Sequence, residues 1–342
     1  MKKCFPKGNR LLFGIMIALV AGLASPALTT PVYAQPGTLI QAINPPTCPN
    51  TATLGGIGVA YDGNRIIYTC VNFGNESDPA FYFTNLAGAN LGSQNIVDVT
   101  GAPIGMDAIV WDPSENRMWG GDLDKVNGLC AIYRIDMTVN PAVATQQFTF
   151  AAAGCAGMAF NFYDGITIDP VTNTLYLSPD IQPLVQHFDK SGNPLADDPI
   201  NVGALIGVNT LSGLAMGLDQ TLYVGTNGAG LIFQVDPFTP ASLGQFATFA
   251  GRDEGMECGP LVGGKETLLV RGFNVNVIDV LEVAPGTCVS PSIPVGGEIL
   301  PINSVALMIT GISSSAMWLI SLVAIGGGAF ALLRFQVLKG KN

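Results

Sequence analysis

The chain of 342 residues has few of the side chains that build common metal and catalytic centres. His187 is its one histidine, and none of the seven cysteines forms a CxxC pair. A zinc site of the usual Cys/His kind is therefore not supported. Any Ser–His mechanism would have to use His187 as its base. That residue lies in a predicted third strand, away from any channel, so we expect a structural histidine.

Basic residues are also scarce outside the two ends of the chain. Of the 15 Lys and Arg, four lie in the first ten residues and three follow position 333. The segment between these ends contains the other eight Lys and Arg and all 25 Asp and Glu, so its formal charge is −17. Nucleic acid is excluded as a partner, because binding phosphates needs clustered Lys and Arg. A generally solvated acidic surface is favoured over one that collects cations.

The N-terminal segment has the order of a secretory signal peptide. Four basic residues precede an apolar run from Leu11 to Leu23, and small residues surround Ala34. This order predicts a signal peptide over 1–34, cleaved after Ala34. An uncleaved anchor helix is the alternative, but the apolar run is short for a membrane span.

The C-terminal segment differs, because residues 299–333 contain no charged side chain. A run of this length predicts a membrane-spanning helix, here 304–334, rather than a buried core helix. The basic tail 335–342, preceded by Arg334, indicates a cytoplasmic C-terminus, which places the rest of the chain outside the cell. The tail, with its lead-in Gly296-Gly297-Glu298-Ile299 and Pro301, resembles the C-terminal anchors of surface proteins of ammonia-oxidising archaea. That resemblance concerns location and implies no activity.

Six cysteines remain beyond the signal peptide, and an even number in an exported domain predicts disulfides. We expect Cys48–Cys288 to join the ends of the domain and Cys130–Cys155 to lie within one repeat. Cys70–Cys258 then follows and would join the first and last repeats. Free buried thiols are the alternative. Asn75 begins an Asn-Glu-Ser glycosylation sequon.

One strand–turn–strand unit recurs along the domain 35–284. It is clearest at 162–180, FYDGITIDPVTNTLYLSPD, and returns near Asp62, Asp112, Asp219 and, in degenerate form, Gly264. Repeats of about 50 residues built from strands indicate a propeller or array. A sandwich would not give five copies, and a β-helix has shorter repeats.

We therefore predict an all-β fold, a β-propeller of five four-stranded blades with six as the alternative, plus one C-terminal transmembrane helix. The strand candidate Thr38–Ile43 would supply the closing strand of the last blade. Residues 285–303, rich in Pro, Gly and Ser, form a linker to the membrane. The units DGITIDPVTNTLYLSPD, DAIVWDPSENRMWGGD and SGLAMGLDQTLYVGTN resemble the repeats of NHL-repeat, streptogramin-lyase-like and gluconolactonase-like propellers. The resemblance implies the fold of a propeller blade and does not imply a particular activity.

A site is expected where the inner strands begin, near Gly55, Asp107, Asp164, Ser212 and Glu257. Acids that converge on one axis repel one another unless a cation or protons intervene, and oxygen ligands suit Ca²⁺. The resemblance to gluconolactonases implies a divalent metal there, with Asp107, Asp164 and Glu257 as the matching acids. Because the Gly55 and Ser212 positions lack Asn, we favour the interpretation that Asp107 and Asp164 cap or hydrogen-bond the starts of strands.

The remaining acids are expected to be structural or solvated. Asp at the first position of each repeated turn hydrogen-bonds the backbone. The pairs Asp122/Asp124 and Asp253/Glu254 are expected on solvated loops. The favoured function is a single-pass cell-membrane protein whose extracellular propeller binds a protein, glycan or envelope component, or serves a structural role. An exported metal-dependent lactonase or hydrolase is the alternative, so enzymatic activity is not the favoured expectation.

Overall fold

The computed structural model describes residues 36–48, 57–71, 78–124, 128–152, 155, 163–179, 182–228, 230–248, 252–273 and 275–288. All of these belong to the first of two units, Met1–Ile293; the second is Pro294–Asn342. The predicted signal peptide, transmembrane helix, tail, Asn75 and Gly55 lie outside the described residues. Among the residues described, no helix is long and apolar enough to cross a membrane.

The described chain folds as a succession of antiparallel strand groups. The first contains β2 (Val59–Tyr61), β3 (Ile66–Tyr68), β4 (Ala80–Thr84) and β5 (Asn90–Asp98). The second contains β6 (Ala108–Asp112), β7 (Arg117–Asp124), β8 (Leu129–Asp136) and β9 (Ala142–Phe150). The third contains β10 (Tyr163–Ile168), β11 (Leu175–Pro179) and β12 (Gln186–Phe188). The outer strands β5 and β9 pair in parallel, which joins the first two groups into one sheet.

The fourth group contains β13 (Leu211–Met216), β14 (Leu222–Thr226), β15 (Leu231–Asp236) and β16 (Ala241–Ala247). The fifth contains β17 (Asp253–Cys258), β18 (Thr267–Gly272) and β19 (Ile278–Glu282). The N-terminal strand β1 (Leu39–Ile43) pairs with β19 and completes this last group. The expected closing strand is therefore confirmed, and it ties the two ends of the domain together.

The burial pattern distinguishes the inner strands of each group from the outer ones. Every residue of β11, β13, β14 and β18 is buried, so these strands are nearly continuous apolar runs. The outer strand β5 is mostly exposed and carries Asn, Ser and Gln. Strands covered on both faces lose polar alternation, whereas strands at a sheet edge can face water. The gradient from β13 to β16, and from β2 to β5, follows this rule.

Five apolar clusters fill the spaces between neighbouring groups. They lie between groups one and two, two and three, three and four, four and five, and five and one. The first strands are neighbours in the order β2, β6, β10, β13 and β17, and β17 contacts β2. The described part of the chain is thus mostly β and propeller-like, with the apolar core distributed around a central axis.

The recurring turns follow the predicted chemistry. The carboxylate Oδ1 of the turn aspartate accepts a hydrogen bond from the backbone N–H two residues on, at 2.8 to 3.0 Å. These four aspartates are Asp62, Asp112, Asp169 and Asp219. A residue in the left-handed region then precedes the second strand, namely Asn116, Asn173 or Gln220. The structural role expected for the turn aspartates is confirmed.

The third group departs from the expected four strands. It has three strands within the described residues, and isolated bridges join Val185 to Ile200 and Phe188 to Pro194. A short helix, α1 (Val202–Ile206), follows these bridges. The Asn201 side chain accepts a hydrogen bond from the backbone N–H of Ala204 and caps this helix. The repeat reading missed the helix because five residues show no helical period.

The six expected cysteines form three disulfides, but two of the expected pairings are wrong. Cys130–Cys155 is as expected, with Cα atoms 5.2 Å apart. The others are Cys48–Cys70 and Cys258–Cys288, with Cα separations of 5.7 and 5.2 Å. The expectation of Cys48–Cys288 and Cys70–Cys258 assumed that disulfides close the ring. Strand β1 closes it instead, and the three disulfides are local.

Candidate functional site

The inner strands approach the axis so closely that each requires a small residue at one position. An added Cβ would lie 2.6 Å from the Asp107 carbonyl oxygen at Gly58 and 2.6 Å from the Ser212 carbonyl oxygen at Gly165. At Gly213 and Gly255 it would lie 2.3 Å from the carbonyl oxygens of Glu254 and Ile57. These contacts define one equivalent position on each inner strand, just before the small residue. It is occupied by Ile57, Asp107, Asp164, Ser212 and Glu254.

This register corrects the sequence alignment of the last repeat. Glu254 occupies the position expected for Glu257, and Ile57 the position expected for Gly55. Asp253 and Glu254 were expected on a solvated loop, which is wrong because both lie in β17 and are fully buried. The fifth repeat is degenerate, and EGMEC offers two glutamates three residues apart. Gly255, at the crowded axis, is the signal that identifies Glu254.

Arg252 lies beside the acids at the starts of the inner strands. Its Nη2 donates to Asp164 Oδ2 at 3.1 Å, and its Nε forms an ion pair with Glu254 Oε1. The Ser212 hydroxyl also donates to Asp164 Oδ2, at 3.2 Å. The guanidinium lies over the Phe273 ring, 4.8 Å from its centroid. An arginine therefore supplies positive charge to two of the acids gathered at this end of the axis.

Asp107 is buried at the same end. Its backbone N–H donates to the Gly121 carbonyl at 3.0 Å, and its carbonyl accepts the Thr69 hydroxyl at 3.0 Å. Among the described residues, no group of three His, Cys, Asp or Glu side chains is placed to hold a metal ion. The structure thus places Asp107 and Asp164 at equivalent positions at the starts of successive inner strands. Glu257 lies three residues beyond the equivalent position, Glu254, in β17.

Arg271 is a second buried arginine that sequence reasoning missed. It is fully buried in β18, and its Nη1 donates to the Thr69 carbonyl at 2.5 Å. Its guanidinium lies 4.6 Å from the centroid of the Tyr68 ring. Burial lowers the pKa of this guanidinium to about 10, and the nearby charge of Glu254 partly opposes that shift. The available signal was a single arginine within the apolar run LLVRG.

The opposite end of the inner strands opens into a cavity of about 290 Å³. Three of the repeated turns, those that follow β6, β10 and β13, form its rim. The Glu257 carboxyl group lies in this cavity, surrounded mainly by apolar side chains. The full lining is Tyr61, Val110, Trp111, Asp112, Pro113, Ser114, Ile168, Pro170, Asn173, Met216, Leu218, Glu257 and Cys258.

Burial sets the protonation of Glu257. Its carboxylate accepts hydrogen bonds from the backbone N–H groups of Cys258 at 3.1 Å and Trp111 at 3.4 Å. Both bonds favour the charged form, but loss of solvent outweighs them and raises the pKa to about 8. Burial therefore favours the protonated form of this side chain. A perturbed carboxyl group in a cleft is a candidate functional residue on physical grounds.

His187 is held in β12, the third strand of its group, as expected. Its Nδ1 lies 2.8 Å from Asp197 Oδ1, and its Nε2 lies 2.9 Å from the Thr174 hydroxyl. Its ring stacks on Tyr176 with centroids 4.0 Å apart. An Asp–His–Thr arrangement has the order of a catalytic triad. Here the imidazole is buried against its own sheet, which fits the structural role expected.

No protein-family model matches the chain, and no curated protein matches it significantly. Among solved structures, the chain is similar to a luciferin-regenerating enzyme at 11% identity and a TM-score of 0.43, over 72% of this chain and 78% of that chain. It is also similar to a glutaminyl cyclase of Myxococcus xanthus at 13% identity and a TM-score of 0.49, over 73% of this chain and 99% of that chain. At these values no activity of either enzyme carries over to this chain.

Proposed function

We propose that this protein is a membrane-anchored, extracellular, five-bladed β-propeller that acts as a binding module of the cell envelope. The signal peptide would be 1–34, the propeller 35–284, the linker 285–303, the span 304–334 and the cytoplasmic tail 335–342. Five strand groups with five apolar interfaces support the blade number. Three disulfides support an oxidising compartment.

The contrast between the two ends of the axis is the observation that carries the binding role. At the starts of the inner strands, Arg252 forms ion pairs with both Asp164 and Glu254, so charged protein side chains occupy this end of the axis. At the other end, the cavity around Glu257 is open and lined mainly by apolar side chains. Small-molecule sites are concave and mostly apolar, with a few polar groups that orient the ligand. We therefore assign ligand binding to the cavity at the Glu257 end, and its volume suits a small apolar molecule or one apolar group of a larger partner.

Phenethyl alcohol, a small neutral aromatic molecule, tests this assignment on the full chain in detergent. We expect saturable binding, followed by ligand-observed NMR or by the fluorescence of Trp111, a residue that lines the cavity. Leu218→Trp should abolish binding, because Leu218 lines the cavity and the larger ring would fill it. Leu243→Trp is the matched control, since Leu243 is also an exposed leucine but is not part of the lining. Equal binding to both variants would reject the cavity as the site.

The alternative function is an exported metal-dependent lactonase or hydrolase. The observation in its favour is the burial of Asp107 and Asp164 at equivalent positions of neighbouring inner strands, where two carboxylates could contact Ca²⁺ if Arg252 were displaced from Asp164. Calorimetric titration of the full chain with calcium tests it. One-site binding that disappears in Asp164→Ala would support the metal enzyme, and lactones and esters would then be screened. An absence of binding heat at millimolar calcium would reject it.

Location is tested separately from binding. Mass spectrometry of the purified protein should find a mature N-terminus at Gln35 and three intact disulfides. Protease added outside intact cells should remove the propeller and leave the membrane-embedded C-terminal fragment. A chain that keeps Met1, or that is protected in intact cells, would contradict the proposed topology.

A further inference from the structure

Glu257 is a half-buried carboxyl group in the lining of the cavity. Two other titratable side chains line it, Tyr61 and Asp112. The Tyr61 hydroxyl donates to the Gly63 carbonyl at 2.8 Å. Asp112 lies at the rim, where it pairs with Lys190 and accepts the Ser114 hydroxyl at 2.7 Å. Tyr61 and Asp112 therefore form hydrogen bonds or ion pairs with other protein groups. Among the described residues, the Glu257 carboxyl group accepts hydrogen bonds from two backbone N–H groups.

The carboxyl group lies in an environment that disfavours a bare negative charge. Transfer of an ionised carboxylate out of water is costly unless a hydrogen-bonded counter-charge accompanies it. The two N–H donors, at 3.1 and 3.4 Å, leave its pKa raised to about 8 by burial. A cation that entered the cavity would supply the missing counter-charge. Its binding would therefore be coupled to loss of the Glu257 proton.

The walls suit a cation that carries an apolar body. Trp111 and Tyr61 line the cavity, and aromatic faces attract cations, most strongly where water is excluded. Ile168, Met216 and Leu218 add apolar surface. Methionine is adaptable and packs well against irregular ligands. A hydrated inorganic ion would gain little from these walls, whereas an organic ammonium ion would bury its carbon atoms against them.

The charge around the cavity has the sign that favours a cation. The turns that form the rim contain Asp112, Asp169 and Asp219, and residues 35–284, with 8 Lys and Arg and 24 Asp and Glu, carry a formal charge of −16. Two basic residues are placed against these turns in the described ion pairs: Lys190 pairs with Asp112 and Glu115, and Arg134 pairs with Glu115. An anionic ligand would enter against this field, whereas a cation would be drawn to it.

We propose that the cavity takes a small organic ammonium ion, with its cationic group on the Glu257 carboxylate and its apolar body against Trp111 and Met216. This inference rests on the proposed binding function and names the ligand class for the same cavity. Ammonium ligands of this kind have amines or quaternary nitrogen on a short aromatic or aliphatic body. The cation takes the place of the proton that Glu257 otherwise holds.

The linkage predicts a distinctive pH dependence. A permanent cation such as benzyltrimethylammonium cannot lose its own charge, so only the protein's protonation changes. Its affinity should be greatest above about pH 8 and should fall by about tenfold for each pH unit below that value. Between about pH 9 and about pH 6 we expect the dissociation constant to rise roughly a hundredfold. Phenethyl alcohol, which is neutral, should show no such change.

The test compares the two probes on the full chain and on two variants, by calorimetry. Glu257→Gln should lose the tighter, pH-dependent binding of benzyltrimethylammonium. Glu282→Gln is the matched control, because Glu282 pairs with Lys265 and is not part of the lining. It should retain both properties.

The outcomes separate this inference from the proposed function. If phenethyl alcohol binds but benzyltrimethylammonium binds no more tightly at about pH 9, the ammonium inference is wrong and the cavity assignment stands. The same conclusion follows if Glu257→Gln leaves the pH dependence intact. If neither probe binds to the wild type, both proposals are overturned. Binding of the cation in the predicted pH pattern supports both.

Discussion

Asp164 and Arg252, which are 88 residues apart in the chain, form an ion pair with 3.1 Å between Oδ2 and Nη2. Asp164 is at the start of β10, and Arg252 immediately precedes β17. The pair therefore links the third strand group to the fifth across the axis. Since Arg252 also pairs with Glu254, one guanidinium offsets the charge of two buried carboxylates. This relationship gives the starts of the inner strands a structural role.

Replacing Arg252 with alanine should destabilise the domain strongly. Asp164 and Glu254 would lose a cationic partner while remaining buried, and breaking a buried pair costs about 3–5 kcal/mol. Chemical denaturation, followed by circular dichroism, measures the loss. Arg117→Ala is the control, because Arg117 pairs with Asp136 at 3.3 Å near the surface and such pairs contribute about 0–1 kcal/mol. Equal losses in the two variants would contradict a structural role for Arg252.

The repeat pattern predicted much of the fold because each strand carries its own local signal. The turn aspartates make the expected hydrogen bonds to the backbone, with 2.9 Å between Ser114 N and Asp112 Oδ1. Strand β1 (Leu39–Ile43) lies within the candidate Thr38–Ile43 that was expected to close the last blade. These features depend on alternation and turn chemistry within a few residues.

The site was harder to predict from the sequence, because it depends on how the inner strands of different groups align with one another at the axis. The spacing from the repeated turn predicted that Glu257 lies beside Asp107 and Asp164. The close approach of Gly213 to the Glu254 carbonyl shows that Glu254 occupies that position instead. Arg252 was overlooked because its partners are distant in sequence. The cavity around Glu257 arises from turns of three separate groups, and no single repeat contains its signal.

Gly213→Ala should destabilise the domain through crowding at the axis. The added Cβ would lie 2.3 Å from the Glu254 carbonyl oxygen, a backbone atom that cannot move without shifting β17. Overpacking of this kind costs about 1–3 kcal/mol. Gly120→Ala is the control, because its nearest neighbour is the flexible Met106 side chain at 3.0 Å. Thermal unfolding should separate the two variants, and a Gly213→Ala melting temperature equal to that of Gly120→Ala would contradict the register.

Removing the Cys258–Cys288 disulfide should lower stability and loosen the cavity. The bridge closes a segment with a sequence separation of 30 residues, and the loop-entropy estimate is about 3–4 kcal/mol. Cys258 also lines the cavity, so the double alanine variant should bind phenethyl alcohol more weakly. Removing Cys130–Cys155, with a separation of 25 residues, should cost a similar free energy without affecting that binding. A loss of binding in both variants would point to general unfolding.

Stability should fall as the pH rises from about 5 to about 8. Glu257 and Asp253 have pKa values raised by burial, to about 8 and about 7, so the folded chain holds protons that the unfolded chain has already released. Their stabilising contribution is complete below the unfolded pKa values and is lost as pH passes the folded ones. Glu257 alone should contribute a slope of up to ~1.4 kcal/mol per pH unit.

Glu257→Gln isolates this contribution, because glutamine is close in size and does not titrate. The free energy of unfolding, measured by denaturant at about pH 5, 6.5 and 8.5, should decline less steeply in this variant than in the wild type. Asp98 and Asp136 have lowered pKa values, caused first by hydrogen bonds from Thr100 and Thr138, so their opposite effect falls at lower pH. Parallel pH profiles for the two proteins would show that Glu257 is ionised in the folded chain, and the proton–cation exchange proposed for the cavity would lose its basis.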